Sequence, residues 1–281
     1  MRYFAPLLIG LAFCFAVQAL ALRAVGGRTA KSESNFFSSI GRIQAGAYGE
    51  AKVMVLGSSI TGRLPDRAQG FDGWANMGCD GGSAIDVLRA MDNGVLPVAP
   101  QLVIEANTLH LPLERADTEI GRAMKGNWFK VGMKVPQLSA SARPAAFFYS
   151  KLLERRIGVS ARPEGDDLDV STRPTAVGGG IQPELAAAQR ELFNEVKSIL
   201  RRLKIGEGTE VVFVWLPPAR SPGSPPPSWI LELARESEAP FWDLGQDAGE
   251  DGVVLTDGVH MDAASAARTM RSLRIGLADL E

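Results

Sequence analysis

Residues 53–61 read Val-Met-Val-Leu-Gly-Ser-Ser-Ile-Thr, an apolar run that ends in a glycine and two hydroxyl residues. A short apolar run bounded by a turn signal predicts a buried strand that exits through a tight turn. This turn holds two serines, Ser58 and Ser59. Near the other end of the chain, Asp257-Gly258-Val259-His260 supplies a carboxylate and an imidazole. A hydroxyl, an imidazole and a carboxylate are the groups that nucleophilic acyl transfer requires.

Outward from this stretch, short apolar runs alternate with helix-like patterns. The strand candidates are Val53–Leu56, Ala75–Met77, Leu102–Glu105, Val211–Leu216 and Phe241–Asp243. The helix candidates are Ser83–Met91, a longer helix from about Pro183 to Leu203, and Ala263–Leu277. Alternation of this kind predicts a parallel sheet covered by helices on both faces, a three-layer sandwich. We therefore expect one α/β domain over residues 50–281, with an insertion at about 109–180 and a stiff proline-rich loop from Pro217 to Ser228.

Composition narrows the classes of function. The net charge of -2 gives no overall attraction to nucleic acid, and we expect no nucleic-acid partner. Two histidines, His110 and His260, argue against a multi-histidine metal site, so we expect neither metal nor cofactor. We expect His110 to be a loop or partly buried histidine. Cys14 and Cys79 are far apart in sequence and indicate no disulfide framework.

The N-terminus indicates the location. An apolar stretch from Phe4 to Leu22 lies between Arg2 and Arg23, with a length between that of a long signal-peptide core and that of a short membrane helix. Ala19-Leu20-Ala21 offers a cleavage site, so removal and retention both stay open. We predict a signal peptide or membrane anchor over residues 1–24, a polar connector over residues 25–49, and an extracytoplasmic domain, periplasmic or at the cell surface.

Four blocks in order give the chain a resemblance to the SGNH (GDSL-type) hydrolase superfamily. They are Gly57-Ser58-Ser59-Ile60-Thr61, Asn76-Met77-Gly78 with Gly81 nearby, Glu105-Ala106-Asn107, and Asp257-Gly258-Val259-His260. Three positions depart from the family pattern: Ser58 and Thr108 each replace an Asp, and Glu105 replaces a Gly. The resemblance covers roughly residues 52–277 apart from the insertion, and implies a flavodoxin-like α/β fold.

The resemblance also implies roles for the residues. Ser59 is the expected nucleophile, with Ser58 as its competitor, His260 the base, and Asp257 the group that orients the imidazole. The backbone N–H groups of Ser59 and Gly78 and the side-chain amide of Asn107 are the expected oxyanion hole.

These expectations lead to a serine esterase that cleaves O-acyl esters, most simply acetyl, of a carbohydrate or small ester. Two alternatives stay open. The same acyl-serine would make an O-acetyltransferase of an exported polysaccharide if a sugar hydroxyl replaced water, with a membrane-bound O-acyltransferase as a partner that supplies the acyl group. The fold could also serve as a non-catalytic carbohydrate-binding module.

The insertion carries a local excess of basic residues. Nine of them lie between Arg122 and Arg162 against the single acid Glu154, interleaved with Trp128-Phe129 and Phe147-Phe148-Tyr149. This pattern suits an anionic bilayer surface or an acidic polysaccharide. The interpretation that we favour is a solvated face whose aromatic side chains turn into the core.

Overall fold

Five parallel strands form one sheet in the computed structural model, in the order β2-β1-β3-β4-β5. The strands are β1 (Val53–Gly57), β2 (Trp74–Gly78), β3 (Gln101–Glu105), β4 (Glu210–Trp215) and β5 (Phe241–Asp243). The structure describes residues 4–24, 31–114, 118–157, 185–217, 226–245 and 253–278. The predicted α/β class and parallel sheet are confirmed, and every predicted strand agrees with an observed one to within a residue at each end.

Helices lie before, between and after the strands. They are α1 (Phe4–Ala24), α2 (Asn35–Ala47), α3 (Ala84–Asp92), α4 (Leu111–Glu114), α5 (Glu119–Met124), α6 (Asn127–Lys134), α7 (Pro144–Ile157), α8 (Ala187–Glu207), α9 (Ser228–Glu236) and α10 (Ala263–Ala278). The long helix predicted from Pro183 is α8, which begins at Ala187 and ends where Gly208 adopts a φ of 64°. Pro183 itself and most of the proline-rich loop lie outside the described residues.

Alternate residues of β1 belong to two separate apolar clusters. Met54 and Leu56 pack with side chains from α2, α3, α8 and α9, whereas Val53 and Val55 pack with side chains from α10. Successive residues of a strand point to opposite faces of the sheet, so the two clusters lie on opposite faces. Burial on both faces explains why β1 reads as a continuous apolar run.

The stretch 25–49, which we expected to be a polar connector, contains α2 instead. Ser34 caps this helix by accepting a hydrogen bond from the Phe37 N–H. Ile40 and Ile43 are fully buried in the core. They lie three residues apart on one face of the helix, so α2 can bury an apolar stripe against the domain. Gly46 lets the helix approach β2 closely, since a Cβ there would lie 2.4 Å from the Sδ of Met77.

The N-terminal apolar helix is present as α1, and by length and composition it could cross a membrane. The side chains from Phe4 to Val17 are mostly exposed, and Leu22 is buried. In the insertion, the described residues form the helices α4 to α7, whereas Gly178–Gly180 lie outside the described residues.

Candidate active site

Ser59, His260 and Asp257 form one hydrogen-bonded chain. The Oγ of Ser59 lies 2.8 Å from the Nε2 of His260, and the Nδ1 of His260 lies 2.7 Å from the Oδ2 of Asp257. Ser59 directly follows Ser58 at the carboxyl end of β1, whereas the other two residues precede α10. The fold therefore brings together the three side chains that the sequence singled out, across 201 positions between serine and histidine.

A tight turn fixes the carboxylate of Asp257 relative to the imidazole of His260. The Oδ1 of Asp257 accepts hydrogen bonds from the N–H groups of Val259 and His260, at 3.1 and 2.8 Å. Gly258 adopts a φ of 77°, a conformation that favours glycine. Because one carboxylate oxygen binds the turn backbone and the other binds the ring, Asp257 fixes both the path of the chain and the orientation of the imidazole.

These contacts also set the ionisation of Asp257. The pKa of Asp257 is lowered from the ordinary 3.8 to about 2. The largest cause is the hydrogen bond from the His260 ring, and the second is the hydrogen bond from the backbone N–H of His260. Because folding lowers the pKa of Asp257, its contribution to the free energy of unfolding is complete above about pH 3.8. This contribution is lost as the pH falls through about 2. Asp257 therefore stays ionised, and its Oδ2 accepts the Nδ1–H of His260, throughout the neutral range.

For the serine esterase that the sequence leads us to expect, replacing Asp257 with asparagine should lower kcat for p-nitrophenyl acetate by about 10³-fold or more. A carboxamide can donate to Nδ1 and so leave a proton on Nε2, the nitrogen that must accept the serine proton in such an enzyme. The measurement is kcat between pH 5 and 9. Asp262 is the matched control, since its side chain caps the start of α10 through the N–H of Ser265. Asn caps a helix about as well as Asp, so Asp262→Asn should keep activity within about twofold. Equal activity of the two variants would contradict the role of Asp257.

Glu105 organises the turn that carries the serine. This carboxylate ends β3 and is fully buried. It accepts hydrogen bonds from the backbone N–H groups and the hydroxyls of Ser58 and Thr61, at 2.6 to 3.1 Å, and from the hydroxyl of Thr108 at 2.9 Å. Gly57 leaves the room for this network, because a Cβ there would lie 2.3 Å from the Oε2 of Glu105. A buried carboxylate with several donors on it is a stable anchor for a sharp turn.

Ser58, the competitor for the nucleophile, has a different environment. It is 4% exposed, its Oγ lies 2.8 Å from the Oε1 of Glu105, and the same Oγ accepts the Ile60 N–H at 3.1 Å. Ser59 is less buried and is the serine that contacts His260. Ser58 therefore binds the turn, whereas Ser59 faces the imidazole of His260.

Gly78 does not offer the free backbone donor that we expected. Its N–H donates to the Oδ1 of Asn76 at 2.9 Å, because the Asn76 side chain is held by the carbonyls of Thr61 and Leu64 with its oxygen turned toward Gly78. The glycine is required for a steric reason instead. A Cβ at this position would lie 2.4 Å from the Gly62 nitrogen, so only glycine lets β2 approach the turn after Ser59.

Among the described residues, Gly81, in the same loop, has the free backbone N–H that we had expected of Gly78. It adopts a φ of 78°, is exposed, and within the described part of the chain its N–H has no hydrogen-bond partner. Arg42 holds the loop by donating to the carbonyl of Gly78 at 2.5 Å and by pairing with Asp80 at 3.5 Å. The signal in the sequence was Gly81 itself, which we noted only as lying near the second block.

Asn107 is fixed by the next strand along the sheet. Its Oδ1 accepts the Leu216 N–H at 2.8 Å, and its Nδ2 donates to the Leu216 carbonyl at 2.7 Å. A primary amide carries two N–H groups, so one remains. The backbone N–H of Ser59 is likewise without a partner among the described residues. Both donors belong to segments that follow strand ends at one edge of the sheet.

His110 lies partly buried in the turn before α4, as expected. Across the described ranges, no group of three or more His, Cys, Asp or Glu side chains is placed to hold a metal ion. Comparison with known proteins adds no relative: no protein-family model, no curated protein and no solved structure matches this chain.

Proposed function

We propose that this protein is an SGNH-type serine esterase that cleaves O-acyl esters, in the first place acetyl esters, through an acyl-serine intermediate. The observation that carries the proposal is the chain of short hydrogen bonds from Ser59 through His260 to Asp257. Two apolar clusters on opposite faces of a parallel sheet support the three-layer arrangement of that family.

The geometry supports a conventional course of acyl transfer. Asp257 accepts the Nδ1–H of His260, which leaves Nε2 with the lone pair that takes the Oγ proton of Ser59 as it attacks the ester carbonyl. The tetrahedral intermediate collapses to acyl-Ser59, and the imidazolium gives its proton to the departing alcohol. His260 then removes a proton from water, which attacks the acyl-serine and releases the carboxylic acid and the free serine.

The developing oxyanion needs donors that are not already bonded. The Ser59 N–H and the second N–H of the Asn107 amide meet that requirement. For the third donor we propose Gly81 in place of Gly78, whose N–H is bonded to Asn76. Each such donor is typically worth about 3 kcal/mol of transition-state stabilisation.

A fluorophosphonate probe tests the proposal directly, because it reacts only with an activated serine. The full-length protein should be labelled, Ser59→Ala should abolish the labelling, and Ser58→Ala should retain it, since Ser58 binds Glu105 and not the base. Mass spectrometry of the labelled peptide identifies the serine. Failure of the folded protein to react would overturn the enzyme proposal and favour the binding module.

The acceptor of the acyl group separates esterase from transferase. The esterase requires only that water reach the Nε2 side of His260 at the acyl-serine, without a bound acceptor, and we therefore propose it first. The O-acetyltransferase, with a membrane-bound O-acyltransferase as acyl donor, is the alternative, and an acetylated oligosaccharide formed from p-nitrophenyl acetate would select it.

We also propose that α1 anchors the protein in a membrane with the catalytic domain outside the cytoplasm, where acylated carbohydrates are exposed. The 21-residue apolar length of α1 supports the membrane anchor, and only its signal-like character supports export of the domain.

A further inference from the structure

The last turns of α1 are docked on the domain. The Nε2 of Gln18 donates to the backbone carbonyls of Gln137 and Ala142, at 2.9 and 2.6 Å. One turn further on, Leu22 is only 4% exposed. Gln18 and Leu22 lie on either side of the cleavage site after Ala21, so removal of a signal peptide would break a formed contact. The docking therefore favours retention of the helix.

The length of α1 limits how far the domain can stand from a bilayer. Twenty-one residues span about 31 Å at 1.5 Å per residue, and a hydrocarbon core is about 30 Å thick. A spanning helix thus needs its whole length. Gln18 lies six residues before the helix end at Ala24, which is about 9 Å. The part of the domain that binds Gln18 is therefore brought about 9 Å inward from the helix end, into the membrane interface, where an interfacial helix lies about 5–10 Å deep.

That part of the domain carries exposed apolar side chains. Leu138, which follows Gln137, is 45% exposed, and α7 starts two residues after Ala142. On α7, Phe148 and Leu152 are each 66% exposed and lie four residues apart on one side of the helix. Ser150 faces the other way, where it is buried and donates to the Lys31 carbonyl at 2.6 Å.

Basic residues flank the apolar pair. Lys151 and Arg155 are exposed, four residues apart, and lie beside Phe148 and Leu152 on the same helix, with Tyr149 on the other flank. An apolar stripe with basic and aromatic flanks is typical of a helix that lies in a membrane interface, and the basic groups favour anionic lipid. We call this surface the seating face: Leu138, Phe148, Tyr149, Lys151, Leu152 and Arg155.

We propose that the seating face lies in the interface of an anionic bilayer, so that the catalytic domain is held against the membrane while α1 spans it. The inference rests on the proposed membrane location of α1 and does not depend on the proposed esterase chemistry. The segments that carry the seating face adjoin the two carbonyls that hold Gln18 of the membrane helix, and for that reason we choose a bilayer, and not a soluble protein, as its occupant.

Fluorescence from the full-length protein in vesicles tests the proposal. An environment-sensitive NBD label is placed on Leu152→Cys, or on Ile205→Cys as the control, in a Cys14→Ser background. Ile205 is also an exposed apolar helix residue, at 74%, and lies on α8. Cys79 is left in place, because it is fully buried and burial raises the pKa of its thiol, which suppresses labelling.

In vesicles of phosphatidylcholine with phosphatidylglycerol, the label at 152 should show blue-shifted emission and quenching by lipids that carry a doxyl group near the headgroup. The label at 205 should show neither. Equal exposure of both labels to water would overturn the proposal, as would a blue shift at 152 without lipid quenching, which would mean that another protein copy covers the face. Protein recovered from cells should keep α1 by intact mass, and a chain that begins at Leu22 would also overturn it.

The charge part of the proposal has its own test. Reversal of both bases, Lys151→Glu with Arg155→Glu, should reduce lipid quenching at position 152 in vesicles with phosphatidylglycerol, while leaving hydrolysis of a soluble ester unchanged. Unchanged quenching would show that the basic residues do not select anionic lipid. Because quenching and hydrolysis are measured separately, a failed seating face and a failed esterase are told apart.

Discussion

Replacement of Ser59 with alanine is expected to lower kcat for p-nitrophenyl acetate by about 10⁴-fold or more, because the nucleophile and its proton are both removed. His260→Ala should have a similar effect, since the Nε2 that lies 2.8 Å from the Ser59 Oγ is the group that takes the proton. KM should change little in both variants. Steady-state hydrolysis by the purified full-length protein at neutral pH is the measurement.

The double variant sharpens this test. Groups that act as one unit are not additive, so Ser59→Ala combined with His260→Ala should be no slower than either single variant. Ser58→Ala is the neighbouring control, and its hydroxyl binds Glu105 rather than the imidazole. Should Ser58→Ala prove inactive while Ser59→Ala retains activity, the assignment of the nucleophile would be wrong.

Replacement of Glu105 with glycine is expected to lower the free energy of unfolding by about 3 kcal/mol or more, because it leaves buried donors on Ser58, Thr61 and Thr108 without their acceptor. The turn that carries Ser59 loses its anchor, so kcat should fall as well. Denaturant unfolding followed by tryptophan fluorescence gives the stability, and ester hydrolysis gives the activity.

A second substitution should rescue the first. In the family pattern that this chain resembles, an Asp occupies position 58, after β1, and a Gly occupies position 105, at the end of β3. This chain therefore carries its carboxylate on the neighbouring strand instead. In Ser58→Asp alone, the new carboxylate meets Glu105, whose oxygens now lie 2.8 and 3.1 Å from the Ser58 Oγ, and like charges at that distance destabilise. Combined with Glu105→Gly, the new carboxylate takes the vacated space.

The double-mutant cycle then gives a coupling free energy of about 2 kcal/mol or more between positions 58 and 105. Glu105→Gln provides the matched control for charge, because it keeps the size of the side chain but turns one acceptor into a donor that faces other donors. It should be destabilised with Ser at position 58, where the new N–H groups face the donors of Ser58 and Thr61. Simple additivity of the two single effects would refute the exchange of the carboxylate between the strands.

Local patterns accounted for much of the fold. The strands were predicted to within a residue at each end, because a strand that is buried on both faces is a short apolar run in the sequence. Such a run can be recognised without knowledge of the tertiary contacts. The α2 helix was missed since Ile40 and Ile43 are separated by polar and small residues, and only their packing against the domain shows that they are buried.

The candidate site divides in the same way. Asp257 and His260 were predictable as a pair because an i, i+3 turn is a local structure with a carboxylate that can cap its own backbone. The backbone N–H groups of the oxyanion hole were not predictable, because whether an N–H group is free depends on side chains from elsewhere in the chain. Asn76 takes the N–H of Gly78 only because the loop after Ser59 turns back over it.

From the sequence alone came the parallel α/β sheet and the apolar N-terminal helix, because periodicity is encoded between near neighbours in the chain. The resemblance of four ordered blocks to the SGNH pattern gave Ser59, Asp257 and His260 as the residues to test. Tertiary structure alone decided that Ser59 and not Ser58 meets the imidazole, that Glu105 anchors the turn, and that Gln18 docks α1 on the domain. Each of these depends on contacts between residues that lie from 44 to 201 positions apart, which no local pattern specifies.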